Sequence, residues 1–192
     1  LDGVDYRGFE EVNLGSENDT ANVENGAGGS IDGSHGTDTL NDQSGRSHLS
    51  VTSTNTGTLD GVSYEGFEQV NLGDDVDTAM LSSNVTSLNM GRGDDVATLK
   101  DRADGLIDGS HGHDTLNDQS GRSHLNATST NKGTLDGVEY QGFEQVNLGD
   151  DVDTATLSSN VTSLNMGSGN DVATLKDGAD GFIDGSHGTD TL

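Results

Sequence analysis

Aspartates that recur beside glycine, at intervals of 18 or 19 residues, are the side chains most able to do chemistry in this sequence. The segments LGDDVDTAM (72–80), MGRGDDVAT (90–98) and GSHGHDTLN (109–117) each carry one as the sixth residue. If alternate nonapeptides occupy the same edge of a two-sided coil, their sixth residues form one stack. The stack predicted for that edge consists of Asp19, Asp38, Thr56, Asp77, Asp95, Asp114, Lys132, Asp153, Asp171 and Asp190.

Stacked carboxylates favour a cation between them. Successive coils lie about 4.8 Å apart, where like charges repel by roughly 1 kcal/mol in water and by several at a protein edge. Oxygen ligands on Gly-rich turns, with no Cys and no His cluster, favour Ca²⁺ over zinc or copper. The predicted calcium ligands are Asp19, Asp38, Asp77, Asp95, Asp114, Asp153, Asp171 and Asp190.

A second group of aspartates has two interpretations, since each fits an extra ligand and a solvated turn residue equally well. Thr56 and Lys132 interrupt the main stack, and Lys132 predicts a gap in the row of ions. The ambiguous group consists of Asp74, Asp75, Asp94, Asp104, Asp150, Asp151 and Asp180.

The elements that must position these residues are short strands. The early positions of the nonapeptides hold Gly, Asp, Ser and Asn, which tolerate tight turns, and the eighth position is usually apolar or small. Ala79 and Leu81 show the pattern: they lie two residues apart and therefore point to the same side of a strand. No window has sustained helical spacing. The sequence predicts an all-β, right-handed parallel β-solenoid of the β-roll type, with about 18 residues per coil.

A 76-residue repeat organises the chain, because LDGVSYEGFEQVNLGDDVDTA (59–79) returns at 135–155. The first copy is 18 residues shorter, which equals two nonapeptides. Loss of one whole coil leaves a solenoid intact. We therefore predict a single continuous solenoid over 1–192, an excerpt of a longer array, with a shortened unit 1–71, a full unit 72–147 and a partial unit 148–192.

Composition narrows the class of protein. Only 28% of the 192 residues are hydrophobic and the net charge is −26, a balance typical of disordered chains; the periodic apolar residues argue against disorder here. Eight scattered Lys and Arg residues make nucleic acid an unsuitable partner. No apolar run approaches the length of a transmembrane segment, no signal peptide is visible, and the absence of Cys excludes a disulfide framework.

The nonapeptides resemble the calcium-binding repeat of the RTX (repeats-in-toxin) β-roll family, G-G-x-G-x-D-x-U-x. GSHGTDTLN (33–41) has Ser for the second Gly, MGSGNDVAT (166–174) has Met for the first, and LGDDVDTAT (148–156) keeps the second Gly and the Asp. The resemblance implies that the Asp and the backbone carbonyls of one turn bind Ca²⁺ together with the turn one coil further on. It is weak over residues 118–144, where the acidic sixth position is lost.

Other residue patterns have alternative interpretations. The motif around Tyr64–Phe67 and Tyr140–Phe143, repeated at Tyr6 and Phe9, fits core aromatics better than a platform for polysaccharide or a partner protein. The histidines, which lie in turns without a partner His or Cys, are interpreted as turn residues. Every conspicuous residue is repeated, whereas catalysis needs a unique constellation, so we expect no enzyme. The Thr-rich segments recur only once per repeat, too rarely for an ice-binding array.

These observations together predict a calcium-stiffened structural module of a secreted bacterial surface protein, such as a giant adhesin, a surface-layer protein or an extracellular filament. The alternative is a non-catalytic calcium-binding appendage of a secreted enzyme, for example a polysaccharide epimerase or protease. Open sheet edges at the solenoid ends favour a further reading, self-association into fibres.

Overall fold

The computed structural model describes residues 10–192, so the predictions for Tyr6 and Phe9 lie outside the described residues. Between 10 and 192 the chain forms strands, turns and bends and no helix. The first sheet has the spatial order β1 Glu11–Asn13, β3 Ser30–Asp32, β7 Val62–Glu65, β6 Thr56–Leu59, β5 His48–Ser53, β9 Thr78–Leu81, β11 Val96–Leu99, β13 Thr115–Asp118, β17 Gln145–Asn147, β19 Val161–Asn165 and β22 Gly181–Asp184.

The second sheet is similar in extent, and a small two-stranded sheet accompanies it. The second sheet has the order β2 Thr20–Val23, β4 Thr39–Asp42, β8 Gln69–Asn71, β10 Asn84–Asn89, β12 Asp104–Asp108, β16 Val138–Gln141, β15 Lys132–Leu135, β14 His124–Ser129, β18 Thr154–Leu157 and β21 Val172–Leu175. The small sheet pairs β20 Ser168–Gly169 with β23 His187–Gly188.

The chain passes back and forth between the two long sheets and pairs mostly in parallel. Val96 of β11, for example, lies between Thr78 of β9 and Thr115 of β13 in the same sheet. Intervening segments cross to the other sheet, so each strand stacks on one from an earlier passage. The predicted all-β fold is confirmed, and these long parallel sheets are consistent with a β-solenoid.

A three-stranded antiparallel meander interrupts each sheet: β5–β6–β7 in the first and β14–β15–β16 in the second. Their tight turns use left-handed residues, among them Asp136 (φ 51°) followed by Gly137 (φ 97°), the conformation of a type I′ hairpin turn. The sequence analysis interpreted these segments as ordinary nonapeptides. That interpretation was wrong, since Thr56 and Lys132 lie in the middle strands β6 and β15 and are not members of a turn stack.

The meander also changes which edge a repeat occupies. Because its three strands stay in one sheet, the chain crosses between sheets an odd number of times per repeat. Strands 76 residues apart therefore lie in opposite sheets, as with β9 in the first and β18 in the second. The prediction that the eight candidate calcium ligands share one edge is therefore incorrect.

The core lies between the two sheets and is built by alternation along each strand. Ala79 and Leu81 are buried, whereas Met80 between them is 46% exposed. A register shift between β10 and β12 turns Ile107 inward and leaves Leu106 only half-buried, contrary to the strict nonapeptide count.

The aromatic motif belongs to the core. Phe67 and Phe143 are buried, and each meets its neighbouring Tyr edge-on, at 6.3 Å for Tyr64 and 6.5 Å for Tyr140. Their burial confirms the core interpretation and contradicts the platform for polysaccharide or a partner.

Candidate metal centre: three carboxylate ladders

The sixth-position aspartates form three separate stacks, which we call ladders. In each ladder the backbone N–H of one member donates to the carboxylate of the member on the next stacked turn, as from Asp77 to Asp95 Oδ1 and from Asp95 to Asp114 Oδ1, both 2.8 Å. The first ladder consists of Asp19, Asp38 and Glu68, the second of Ser47, Asp77, Asp95, Asp114 and Glu144, and the third of Ser123, Asp153, Asp171 and Asp190.

The ladders alternate between the two edges of the molecule. Members of the second ladder precede strands of the first sheet, whereas members of the first and third precede strands of the second sheet. All eight predicted ligands are ladder members, but the structure distributes them over three ladders and two edges.

Each complete ladder has two different ends. The second ladder begins at Ser47, whose N–H donates to Asp77 Oδ1 at 2.7 Å. It ends at Glu144, which accepts the N–H of Asp114 on Oε2 (2.9 Å) and the Asn131 amide on Oε1 (3.1 Å). Glu144 is the last residue of a three-residue connection between β16 and β17, and its longer side chain serves where the other turns use Asp.

One oxygen of most ladder aspartates is buried without a partner. Oδ1 accepts the N–H described above, whereas Oδ2 has no hydrogen bond and no exposure to solvent. An ionised carboxylate in this position costs several kcal/mol unless a cation or proton neutralises it. The residues with this arrangement, all at most 1% exposed, are Asp38, Asp77, Asp95, Asp114, Asp153 and Asp171.

The electrostatics of the ladders reflect this burial. Desolvation, with a smaller contribution from the next carboxylate of the same ladder, raises the pKa of Asp77, Asp95 and Asp153 to about 6. Burial likewise raises the pKa of Asp114 to about 6, with Glu144 as the nearest repelling carboxylate. These four carboxyl groups are therefore harder to ionise than an exposed Asp.

Glycines bring backbone carbonyls close to the unpartnered oxygens. A Cβ built on Gly33 would lie 2.5 Å from the Gly66 carbonyl oxygen and 2.7 Å from Asp38 Oδ2. Gly109 has the equivalent position between the Gly142 carbonyl oxygen and Asp114 Oδ2. These turns thus form a cradle that only glycine leaves open, and carboxylate and carbonyl oxygens both border it.

These donors suit a hard cation. No three His, Asp or Glu side chains in the described range converge on one point, so a cation in a ladder would complete its shell with backbone carbonyls and water. Ca²⁺ accepts such mixed oxygen shells readily. The residues present therefore fit the ion that the sequence predicted.

The ambiguous aspartates lie mainly at the surface. Asp94 accepts the N–H of His113 at 2.9 Å. Asn18 and Asn170 accept the equivalent backbone N–H in the other ladders, so this hydrogen bond needs no charged acceptor. Asp74 lies 3.8 Å from Arg92 with both side chains exposed. Asp104 and Asp180 each accept the N–H of the following glycine, and Asp75, Asp150 and Asp151 are exposed.

Sequence reasoning missed the ladder ends. Glu68 and Glu144 occupy the places that were assigned to Thr56 and Lys132, so the predicted break in the stack is filled by a carboxylate. The segments EQVN (68–71) and DTLN (38–41) pair strand to strand, and their shared pattern was the available signal.

Comparison of the chain with protein-family models, curated proteins and solved structures finds no match. Residues 10–192 contain no helix long and apolar enough to cross a membrane.

Proposed function

We propose that this chain is a calcium-binding structural module, a rod whose ladders are neutralised by Ca²⁺. One observation carries the proposal: six ladder aspartates each keep one buried carboxylate oxygen with no partner, in turns that stack directly on one another. A globular protein rarely leaves one such oxygen, and here the arrangement recurs throughout the described chain.

The residues that would hold the ion are the ladder carboxylates together with carbonyls of the glycine turns, such as Gly66 and Gly142. Calcium supplies positive charge between oxygens that otherwise repel. The chain's own contribution is to hold each Oδ1 on a backbone N–H, which fixes the rotamer and keeps Oδ2 directed into the turn stack.

In this proposal the fold is a right-handed β-roll with about 18 residues per coil, similar to the RTX repeats. The partner spacings of 18 and 19 residues along the ladders support that coil size. The proposed setting is extracellular, on a secreted bacterial surface protein, because calcium is plentiful there and scarce in the cytoplasm. The role is structural because every candidate group recurs from repeat to repeat and no unique constellation stands out.

Circular dichroism of the full chain, with calcium and after EDTA, tests the proposal. A cation that binds the folded chain alone stabilises it by mass action, so we expect a β spectrum in millimolar calcium and a largely unfolded spectrum in EDTA. Magnesium at equal concentration is the control and should restore less structure, since it dehydrates reluctantly and demands octahedral geometry. A β spectrum that EDTA leaves unchanged would contradict the proposal.

A further inference from the structure

A further pair of carboxylates lies at the foot of each meander, outside the three ladders. Asp118 ends β13 and is only 4% exposed. Its Oδ1 accepts the N–H of Ser120 at 2.7 Å, whereas its Oδ2 is buried and accepts no hydrogen bond. This oxygen is as unfavourably placed as those of the ladder aspartates, yet no ladder includes it.

The second carboxylate belongs to Asp136 in the turn between β15 and β16, and its side chain is 26% exposed. It accepts the N–H of His124 on Oδ1 (2.8 Å) and the Ser120 hydroxyl on Oδ2 (3.1 Å). Ser120 therefore bonds to both carboxylates, through its N–H to Asp118 and through its hydroxyl to Asp136. Burial, together with the Asp118 carboxylate, raises the pKa of Asp136. Two ionised carboxylates repel one another, and a cation between them would remove that repulsion.

The surroundings favour a cation of more than one charge. A single proton shared by Asp118 and Asp136 would leave one negative charge on the pair, whereas a divalent cation would neutralise both carboxylates. Among the described residues only His124 lies within ion-pair distance of Asp136, at 3.6 Å. Ser120 and Asp136 also line a cavity of about 250 Å³, and Lys100, Arg102 and Arg122 belong to the wall of the same cavity.

The same arrangement recurs one repeat earlier, on the opposite edge. Asp42 is 6% exposed and its Oδ2 is buried without a partner. Ser44 again bridges, since its N–H donates to Asp42 Oδ1 (2.7 Å) and its hydroxyl to Asp60 Oδ2 (2.8 Å). The arrangement thus belongs to the 76-residue repeat and is present in both of these copies.

We propose that Asp118, Asp136 and the Ser120 hydroxyl form a binding site for a hard divalent cation, with a second such site at Asp42, Asp60 and Ser44. The cation joins the end of a solenoid strand to the inner turn of the meander. It therefore attaches the meander to the solenoid coil, and the meander is the part of each repeat that forms no ladder.

Calcium counting by isothermal titration and native mass spectrometry tests this site in the full chain. Asp118→Asn and Asp136→Asn should each bind one ion fewer than the parent, and Asp118→Asn combined with Asp42→Asn should bind two fewer. Asp177→Asn removes an equal charge from an exposed turn and should leave the count unchanged. An unchanged count in the Asp118 and Asp136 variants, with calcium-dependent folding intact, overturns this site while the ladders stand.

The melting temperature separates a cation from a shared proton. If a cation occupies the site, Asp136→Asn lowers the melting temperature in saturating calcium, because a ligand is lost. If the carboxylates share a proton, the amide replaces the protonated acid and the melting temperature rises or stays constant at pH 7, which overturns the proposal. Asp136 is the variant of choice because its side chain is part-exposed and the substitution leaves the buried Asp118 in place.

Discussion

At the scale of single residues, the two oxygens of each ladder aspartate have different tasks. Oδ1 accepts the backbone N–H of the neighbouring turn, which has no sheet partner there. This hydrogen bond explains why a short side chain with an acceptor oxygen suits the position. Oδ2 has no such bond. An asparagine would satisfy the first task without burying a charge, so the presence of Asp in successive turns supports the proposed cation at the second oxygen.

Asp95→Asn is the direct test of that division of labour. Asp95 is the central member of the second ladder and its side chain is fully buried. The variant keeps an oxygen for the N–H of Asp77 but loses the charged ligand. We expect its calcium midpoint, followed by circular dichroism, to rise about tenfold or more, since charge-assisted interactions contribute roughly 1.5–3 kcal/mol. Asp177→Asn is the charge-matched control, and an unshifted midpoint in Asp95→Asn would contradict the ladder as a metal site.

The pH dependence of the metal-free chain follows from the raised pKa values. The folded pKa of about 6 for Asp77, Asp95, Asp114 and Asp153 exceeds the value of 3.8 for an unperturbed Asp. The folded state therefore binds protons more tightly, and its stability falls as the pH rises from about 4 through 6. We expect circular dichroism in EDTA to show more β structure at pH 5 than at pH 7.5. An equal or larger β content at pH 7.5 would show that the carboxylates are not buried uncompensated.

Gly109→Ala tests the cradle beside Asp114. The backbone at Gly109 has no positive φ, so the effect of the methyl group is purely spatial: it would press on the Gly142 carbonyl oxygen and on Asp114 Oδ2. We expect a lower free energy of unfolding in calcium, and we expect folding to reach its midpoint at a higher calcium concentration. Gly28→Ala is the matched control, because its Cβ meets nothing within 4 Å, and it should be neutral or slightly stabilising. Equal effects of the two substitutions would contradict the cradle.

At the scale of elements, the meander is held by its aromatic pair rather than by ladder bonds. The side chains of Phe143 and Tyr140 are at most 1% exposed, and the Tyr140 hydroxyl has no hydrogen-bond partner. We expect Tyr140→Phe to be neutral or stabilising, because it removes an unsatisfied buried polar group, and Phe143→Ala to cost about 3–5 kcal/mol. Urea unfolding in saturating calcium measures both. Strong destabilisation by Tyr140→Phe would show that the hydroxyl has a structural task.

The elements also explain how far the sequence could predict this molecule. Period-two burial and the spacing of Asp77, Asp95 and Asp114 depend on local rules, so the strands and this part of the stack could be predicted. The antiparallel meander could not be separated from nonapeptides by counting, because its TSTN and LDG turns have the same Gly, Asn and Asp composition as the solenoid turns. That one ambiguity moved Thr56 and Lys132 into the predicted stack and placed three ladders on one edge.

At the scale of the whole molecule, each repeat is displaced to the opposite sheet, so ladders and meanders alternate sides along the rod. The ladder carboxylates therefore form short stacks, each of which begins at Ser or ends at Glu, rather than one continuous stack along an edge.

Deletion of residues 77–94 tests the modular architecture. It removes β9 and β10, one passage through each sheet, and joins Val76 to Asp95, which lies 18 residues after Asp77 in the same ladder. We expect a calcium-dependent β spectrum and one bound ion fewer. The control deletion of residues 77–85 removes β9 and the first two residues of β10, and it would force the rest of β10 into the wrong sheet. It should abolish the cooperative calcium transition, and equal behaviour of the two deletions would contradict this architecture.

The most direct measurement is a crystal structure of the chain grown with calcium, with anomalous scattering used to identify the ion. The account predicts discrete density along each ladder, within coordination distance of the Oδ2 atoms of Asp77, Asp95 and Asp114 and of their counterparts in the third ladder. Ladders without ion density, with those oxygens bonded to water or to protein donors, would contradict it.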